Sequence, residues 1–84
     1  MIHELKINGR SYEAIEAGFK RHEVRKWDRP YKVGDTLRLR VYHPETQTYG
    51  SGQLDVLVTS ITHPGEWGLP KDLGVMSIRL NPCR

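Results

Sequence analysis

Apolar and polar residues alternate along several stretches of the chain, and this period of two predicts β-strands. In residues 3–7, Leu5 and Ile7 alternate with Glu4 and Lys6. The same alternation recurs in residues 36–42, 54–62 and 76–80. Because alternate side chains of a strand point to opposite faces, each stretch is expected to bury one face. The expected inward side chains of the later strands are Leu37, Leu39, Val41, Leu54, Val56, Val58, Met76, Ile78 and Leu80, with Arg38 and Arg40 facing out.

One stretch has a helical period instead. Its apolar residues, three and four positions apart, are Tyr12, Ile15 and Phe19. This spacing predicts a short helix over residues 12–17, with the three side chains in the core. Ser11 is the expected N-cap, since a serine hydroxyl can accept a hydrogen bond from a free amide of the first turn. Gly18 is expected to end the helix, because glycine adopts a positive φ without a steric cost.

The segment after the helix carries an informative set of charged residues. The pattern Gly-x-Lys-x-x-Glu-x-Arg begins at Gly18, and a short strand is predicted over residues 20–26. Glu23 and Arg25 then project from one face of this strand, while Val24 projects from the other. A carboxylate acceptor and a planar guanidinium donor would therefore stand side by side.

Turn-forming residues separate the predicted strands. Residues 28–30 break the second strand, and residues 33–35 form a turn before the third. Residues 43–52 lack a periodic apolar pattern and predict a mobile hairpin. Residues 63–70 are rich in proline and glycine and predict a loop that carries Trp67.

Together these elements predict an α+β fold of about five strands and one packed helix. A small, partly closed β-barrel suits this set, because closure removes unpaired strand edges. A chain of 84 residues has the length of one domain, so residues 1–84 are expected to form a single unit.

The positive charge is concentrated around the motif. The chain has a formal net charge of +3, but residues 20–40 alone hold eight basic and three acidic residues, a net charge of +5. A one-sided basic surface attracts phosphates and contributes the non-specific part of nucleic-acid affinity. The alternative is that these side chains only solvate exposed strand faces. The basic residues are Lys20, Arg21, Arg25, Lys26, Arg29, Lys32, Arg38 and Arg40.

Several classes of protein and site are not expected. No apolar run has the roughly 18 residues of a membrane helix, and the first residues lack the pattern of a secretory signal, so a cytoplasmic location without membrane insertion is expected. The single cysteine, Cys83, has no partner for an internal disulfide and is interpreted as a tail residue. The four histidines show no metal-ligand spacing, and neither a metal nor a cofactor is expected.

The motif, the short strand before the helix and the Val33-Gly34-Asp35 turn before an alternating strand resemble the ASCH domain, a small relative of the PUA fold. The whole length is similar to a compact subgroup of that family, found in phages and bacteria and without an assigned function. The resemblance implies a PUA-like β-barrel. It also implies binding of RNA or a nucleotide, as is thought for ASCH domains by analogy with PUA domains.

The expected ligand-binding residues are Lys20, Glu23, Arg25, Lys26, Trp27, Arg38, Arg40 and Trp67. Arg25 is expected to contact a phosphate or a base, with Glu23 orienting its guanidinium. The plainer alternative is that Glu23 and Arg25 form surface ion pairs of little energetic value. Trp27 and Trp67 can each stack on a base or cap the core, and Trp67 is expected to be the exposed one.

A second hypothesis is a small amidohydrolase that acts on a modified nucleoside such as N4-acetylcytidine, as some ASCH-like proteins do. Its candidate residues are Lys20, Glu23 and Glu66. In those enzymes a threonine follows the lysine by three positions, whereas this chain has Glu23 there, so the expected hydroxyl is missing. A third hypothesis is a non-catalytic phage or bacterial accessory protein that binds another protein. RNA or nucleotide binding is the preferred prediction, and the oligomeric state is left open.

Overall fold

A computed structural model describes residues 1–81 and shows five strands and one α-helix, as the sequence predicts. The interpretation of Cys83 concerns a position outside these residues. In chain order the elements are β1 (Ile2–Ile7), α1 (Gly9–Glu16), β2 (His22–Lys26), β3 (Thr36–His43), β4 (Thr48–Thr62), a short 3-10 turn (Glu66–Gly68) and β5 (Leu73–Leu80).

All five strands belong to one mixed sheet in the order β1-β3-β4-β5-β2. β1 pairs in parallel with β3, whereas the other neighbouring pairs are antiparallel. The sheet curves into a half-barrel, with α1 packed against β3 and β4. The first two strands of the chain therefore form the two opposite edges of the sheet, a placement that local sequence patterns do not reveal.

The predicted inward side chains form the core. Leu37, Leu39, Val56, Val58 and Met76 are almost completely excluded from solvent. The remaining buried apolar residues are Leu5, Ile7, Ile15, Tyr31, Val41, Leu54 and Ile78, and Leu80 packs against them. The period-two interpretation of β1, β3, β4 and β5 is thus confirmed.

The helix begins earlier than predicted. Its N-cap is Asn8, whose side-chain oxygen accepts a hydrogen bond of 2.8 Å from the amide of Ser11. The prediction of Ser11 as the N-cap is therefore wrong. Asn8 and Ser11 are both residue types that favour this position, but Asn8 is the one that lies between the end of β1 and the first residue of the helix. Gly18, with φ of 84°, follows the helix as expected.

Phe19 corrects the predicted apolar stripe of the helix. Its side chain is 90% exposed, whereas Ile15 is buried and Tyr12 packs against the core. The left-handed turn at Gly18 redirects the chain, so the helical period no longer applies at Phe19.

The predicted mobile hairpin over residues 43–52 is mostly regular strand. β3 continues to His43 and β4 begins at Thr48, which leaves a four-residue turn between them. Tyr42 pairs with Tyr49 directly across the two strands. The sequence did not predict these strand ends, because their residues are mostly polar and show no apolar alternation. Main-chain pairing and contact between two tyrosines stabilise them instead.

A buried polar cluster fastens the start of β1 to the turn before β3. His3 is buried, and its Nε2 lies 2.8 Å from Oδ2 of Asp35. Burial by itself would raise the pKa of Asp35. Hydrogen bonds from His3, from the Lys32 amide and from the N-terminal ammonium outweigh burial and hold that pKa below its ordinary value.

The helical content of the fold is small. Among residues 1–81, no helix has both the length and the apolar character needed to span a membrane.

Candidate functional site

A cleft of about 800 Å³ lies where the two edge strands of the half-barrel, β1 and β2, face each other. Lys20, Glu23 and Arg25 all line it. The motif residues therefore converge on one concave site. The Glu23–Arg25 ion pair of the plainer alternative is present, but Glu23 is buried and the pair lines a concave site.

The polarity of β2 is inverted relative to an ordinary edge strand. Glu23 is only 5% exposed and lies opposite the fully buried Met76 of β5, so it occupies the inner face. Val24 is 48% exposed on the outer face. Charged residues are rarely buried unless they are paired, so this arrangement requires partners for the Glu23 carboxylate within the cleft.

Arg25 supplies the first partner and also links the two edges of the sheet. Its Nε donates a hydrogen bond of 2.7 Å to Glu23 Oε2, and its Nη2 donates one of 2.5 Å to the main-chain oxygen of Lys6 on β1. β1 and β2 are not neighbours in the sheet order, so this side chain spans the gap between them. The carboxylate of Glu23 and the Lys6 carbonyl together fix the position of the guanidinium, which lines the cleft.

Lys20 supplies a second cation next to Glu23. Its Nζ lies 3.9 Å from Glu23 Oε1 and donates a hydrogen bond of 3.0 Å to Ser11 Oγ. Ser11 comes from α1, so the helix and the segment after it jointly form this side of the cleft. Local sequence patterns do not indicate a role for Ser11 at the site, because nine residues separate it from Lys20.

Positive charge predominates in the cleft. Among the described residues, six basic and three acidic ones line it, which gives a local net charge of +3. The basic lining residues are Lys6, Lys20, Arg25, Lys26, Arg29 and Arg40, and the acidic ones are Glu4, Glu23 and Asp28. An anionic ligand is therefore attracted to this part of the surface.

The other predicted binding residues divide into two groups. Lys26 and Arg40 line the cleft, whereas Trp27 and Arg38 do not. Arg38 forms a two-point ion pair with Asp55, at 3.0 and 3.1 Å, and the hydrogen bonds to that carboxylate raise the pKa of Arg38.

Trp27 is part of the core boundary. Its ring lies over Gly74, where a Cβ atom would collide with it, and its centroid is 5.0 Å from that of Tyr31 and 5.7 Å from that of His63. A glycine at position 74 is thus required by this close approach. Of the two interpretations of Trp27, the packing of its ring against the core agrees with the one in which it caps the core.

Trp67 and Glu66 lie in the loop between β4 and β5 and do not line the cleft. Trp67 is 94% exposed, as expected, and has a left-handed φ of 53°. Glu66 accepts a hydrogen bond of 2.6 Å from the main-chain amide of His63, so its carboxylate stabilises the loop.

Several residues that line the cleft were not among the predicted binding residues. Tyr31 is buried at its margin, and burial raises the pKa of its hydroxyl. Lys6 and Tyr49 enter the cleft from strands that are remote from the motif in sequence. The outward position of Lys6 on β1 was a usable signal, but its proximity to β2 depends on the curvature of the sheet.

The charged donors of the cleft suit the binding of an anion. Within residues 1–81, no three or more His, Cys, Asp or Glu side chains lie close enough together to hold a metal ion. The donors that face the cleft are ammonium and guanidinium groups, which prefer phosphate and carboxylate oxygens.

The chain belongs to the family described as a domain of unknown function, DUF3850, whose model matches residues 2–78. It is 34% identical over 67 residues to an uncharacterized 12.9 kDa protein in the GpA 3′ region of Escherichia phage P2. The match covers 79% of this chain and 59% of the phage protein, so the chain spans less than two thirds of that relative.

The fold is shared with a solved structure. The crystal structure of hypothetical protein PH0355 superposes with a TM-score of 0.66 at 17% sequence identity, covering 93% of this chain and 97% of that one. At this identity the likeness concerns the fold alone.

Proposed function

We propose that this domain binds RNA or a nucleotide in the cleft between β1 and β2, through contacts from its cations to phosphate oxygens. The observation that carries the proposal is the convergence of Lys20, Glu23 and Arg25 in a cleft whose lining has a net charge of +3. We also propose that the half-barrel is an ASCH-like member of the PUA-related folds, which is consistent with this site lying on the motif strand.

The proposed roles follow from the contacts. Glu23 holds the guanidinium of Arg25 by its Nε and the Lys6 carbonyl holds it by Nη2, and the proposed phosphate contact is made by Nη1. Lys20 adds a point charge at the α1 side of the cleft. Lys26 and Arg29 are exposed at the margin and extend the positive field toward solvent.

The first test is the salt dependence of binding to a short single-stranded RNA. Contact with about three phosphates predicts that log K falls with log salt with a slope of about −2, so raising the salt from about 50 to 200 mM weakens binding about 15-fold. Binding that does not change with salt, or no binding at low salt, contradicts the proposal and favours a protein-binding role instead.

A charge-matched pair of variants locates the interaction. Lys20→Ala with Lys26→Ala removes two cations from the cleft, and Lys71→Ala with Arg79→Ala removes two exposed cations outside it. We expect only the first variant to reduce the slope, by about one unit or more. Equal losses in both variants show that diffuse charge, rather than the cleft, binds the RNA.

One observation favours hydrolysis as a second candidate function. The Ser11 hydroxyl, 3.0 Å from Lys20 Nζ, places a nucleophile next to an amine in the cleft, where the motif itself has no threonine. We rank hydrolysis second, because a lysine that donates to Ser11 and faces Glu23 has the arrangement of an anion-binding cation.

The two functions differ in their response to Ser11→Ala. A hydrolase releases acetate from N4-acetylcytidine and loses turnover in this variant, with its ligand affinity retained. A binding protein shows no turnover, and the variant changes its affinity only slightly. Robust turnover by the unmodified protein that disappears in Ser11→Ala establishes the second function in place of the first.

A further inference from the structure

A pair of tyrosines on the outer face of the sheet adjoins the cleft. Tyr42 on β3 lies directly opposite Tyr49 on β4, and their ring centroids are 5.1 Å apart in an edge-to-face arrangement. Tyr49 is 44% exposed and lines the cleft. We call Tyr42 and Tyr49 the tyrosine pair.

A cationic side chain lies over each ring of the tyrosine pair. Lys6 Nζ lies 4.2 Å from the centroid of the Tyr42 ring, and Arg40 Cζ lies 4.0 Å from that of the Tyr49 ring. Lys6 and Arg40 are partners in the register of β1 and β3, so three adjacent strands present these four side chains together. Cation–π contact fixes the rings while their positive neighbours attract phosphate.

The tyrosine pair and its two cations are continuous with the cleft, so they are placed to contact a ligand as well as to stabilise the sheet. Lys6, Arg40 and Tyr49 are themselves cleft-lining residues. If a strand of nucleic acid with its phosphate in the cleft leaves over β1, β3 and β4, it passes aromatic and guanidinium planes. Neighbouring strands about 4.8 Å apart that carry aromatic rings are the platform on which sheet-based RNA-binding domains stack successive bases.

We infer that the tyrosine pair is a second subsite for single-stranded RNA, on which the base adjacent to the nucleotide in the cleft stacks. This inference rests on the proposed function and specifies its ligand. The domain then recognises a strand of at least two nucleotides and binds it more tightly than a single nucleotide.

The decisive variant is Tyr49→Leu, which keeps an apolar side chain on the strand but removes the aromatic face. A base–aromatic stack accounts for a loss of about 5- to 150-fold when removed. We therefore expect Tyr49→Leu to weaken binding of a short RNA by a factor in that range and to weaken binding of a mononucleotide by a clearly smaller factor. Tyr49→Phe retains the ring and should bind both ligands as the unmodified protein does.

Trp67→Leu is the matched control, since Trp67 is the most exposed aromatic residue described and lies outside the cleft. It should not change the affinity for either ligand. An equal loss in this variant attributes the effect to non-specific adhesion to exposed aromatic rings and overturns the inference. The thermal midpoint of each variant confirms that it is folded.

A fluorescent base reports on stacking directly. In two dinucleotides, 2-aminopurine occupies either the 5′ or the 3′ position, and stacking on an aromatic ring quenches its emission. We expect quenching at one of the two positions with the unmodified protein and with Tyr49→Phe, and recovery of the emission with Tyr49→Leu.

The outcomes separate the inference from the function on which it rests. If mononucleotides bind but lengthening the strand adds no affinity, the second subsite is absent and the cleft proposal survives. If Tyr49→Leu weakens mononucleotide and RNA equally, Tyr49 supports the cleft and is not a separate subsite. If the unmodified protein binds neither ligand, both proposals fail. A DNA strand of the same sequence shows whether the 2′-hydroxyl contributes.

Discussion

Replacing Glu23 with glutamine distinguishes orientation of Arg25 from simple electrostatic attraction. The change keeps the shape of a side chain that is 5% exposed and removes one negative charge from a cleft of net charge +3. If charge alone controlled affinity, the variant would bind RNA more tightly. If Glu23 acts by holding Arg25 Nε at 2.7 Å, the variant binds more weakly.

The magnitudes favour weaker binding. Repulsion between one carboxylate and a phosphate across an open, hydrated cleft is worth at most about 1 kcal/mol. A hydrogen bond from a guanidinium to a charged group is worth about 1.5 to 3 kcal/mol and depends on its geometry. Loss of the Arg25 contact therefore outweighs the gain in charge by about 0.5 to 2 kcal/mol, and RNA affinity should fall about twofold to thirtyfold.

The same substitution has a cost in stability. A glutamine oxygen can still accept from Arg25, but the bond is no longer between two charges, and its net contribution falls by about 1 to 2 kcal/mol. For a domain of this size, each kcal/mol lowers Tm by about 4 to 8 °C. Binding is therefore measured by fluorescence anisotropy well below the Tm of the variant, and Tm is measured by circular dichroism.

Asp28→Asn is the matched control for charge. Asp28 is exposed and lines the cleft, and the substitution removes the same negative charge without altering the Glu23–Arg25 pair. Its RNA affinity should rise about twofold to fivefold. Tighter binding by both variants would refute the reasoning, because it would show that Glu23 contributes only an unfavourable charge.

The remaining predictions concern the scaffold of the site. Arg25→Lys cannot reach Glu23 and Lys6 together, so the amides of β2 should exchange faster and the free energy of unfolding should fall by about 1 to 2 kcal/mol; unchanged hydrogen exchange would contradict this link. The pKa of Asp35 is lowered in the folded state, so its stabilisation is present above the unfolded pKa of about 4 and disappears as pH falls through the folded pKa. Asp35→Asn should therefore cost about 1 to 3 kcal/mol at pH 7 and less at pH 3, as urea denaturation measures. Gly74→Ala places a methyl group against the ring of Trp27 and should cost about 1 to 3 kcal/mol, whereas a neutral effect would show that the ring moves freely.

Local patterns in the sequence predicted the elements of the fold well. Alternation identified the buried residues of β3, β4 and β5, and Gly18 marked the end of the helix region. These signals are local, because strand periodicity and glycine conformation depend on neighbouring residues. Phe19 shows their limit, since one left-handed residue between it and the helix reversed its expected burial.

Local sequence patterns predicted only part of the candidate site. The motif placed Glu23 and Arg25 on one face, two residues apart, and the charge count drew attention to the same segment. Which face of β2 is buried was not visible, because Val24 is the apolar residue of that strand and yet lies outside. A charged side chain can be buried only when partners offset its loss of hydration. Those partners come from other elements of the fold, and local patterns do not show them.

By itself, the sequence determined the apolar centres of the strands, a helix before Gly18 and the concentration of positive charge near one motif, since each depends on residues close together in the chain. Only the tertiary structure decided that β1 and β2 are opposite edges of one curved sheet. That order brings Lys6 to Arg25 and places Tyr49 in the same cleft, where Ser11 of α1 also contacts Lys20. The reason is physical: strand order and curvature arise from long-range pairing and core packing, so residues that meet across the cleft carry no mark of one another in the local pattern.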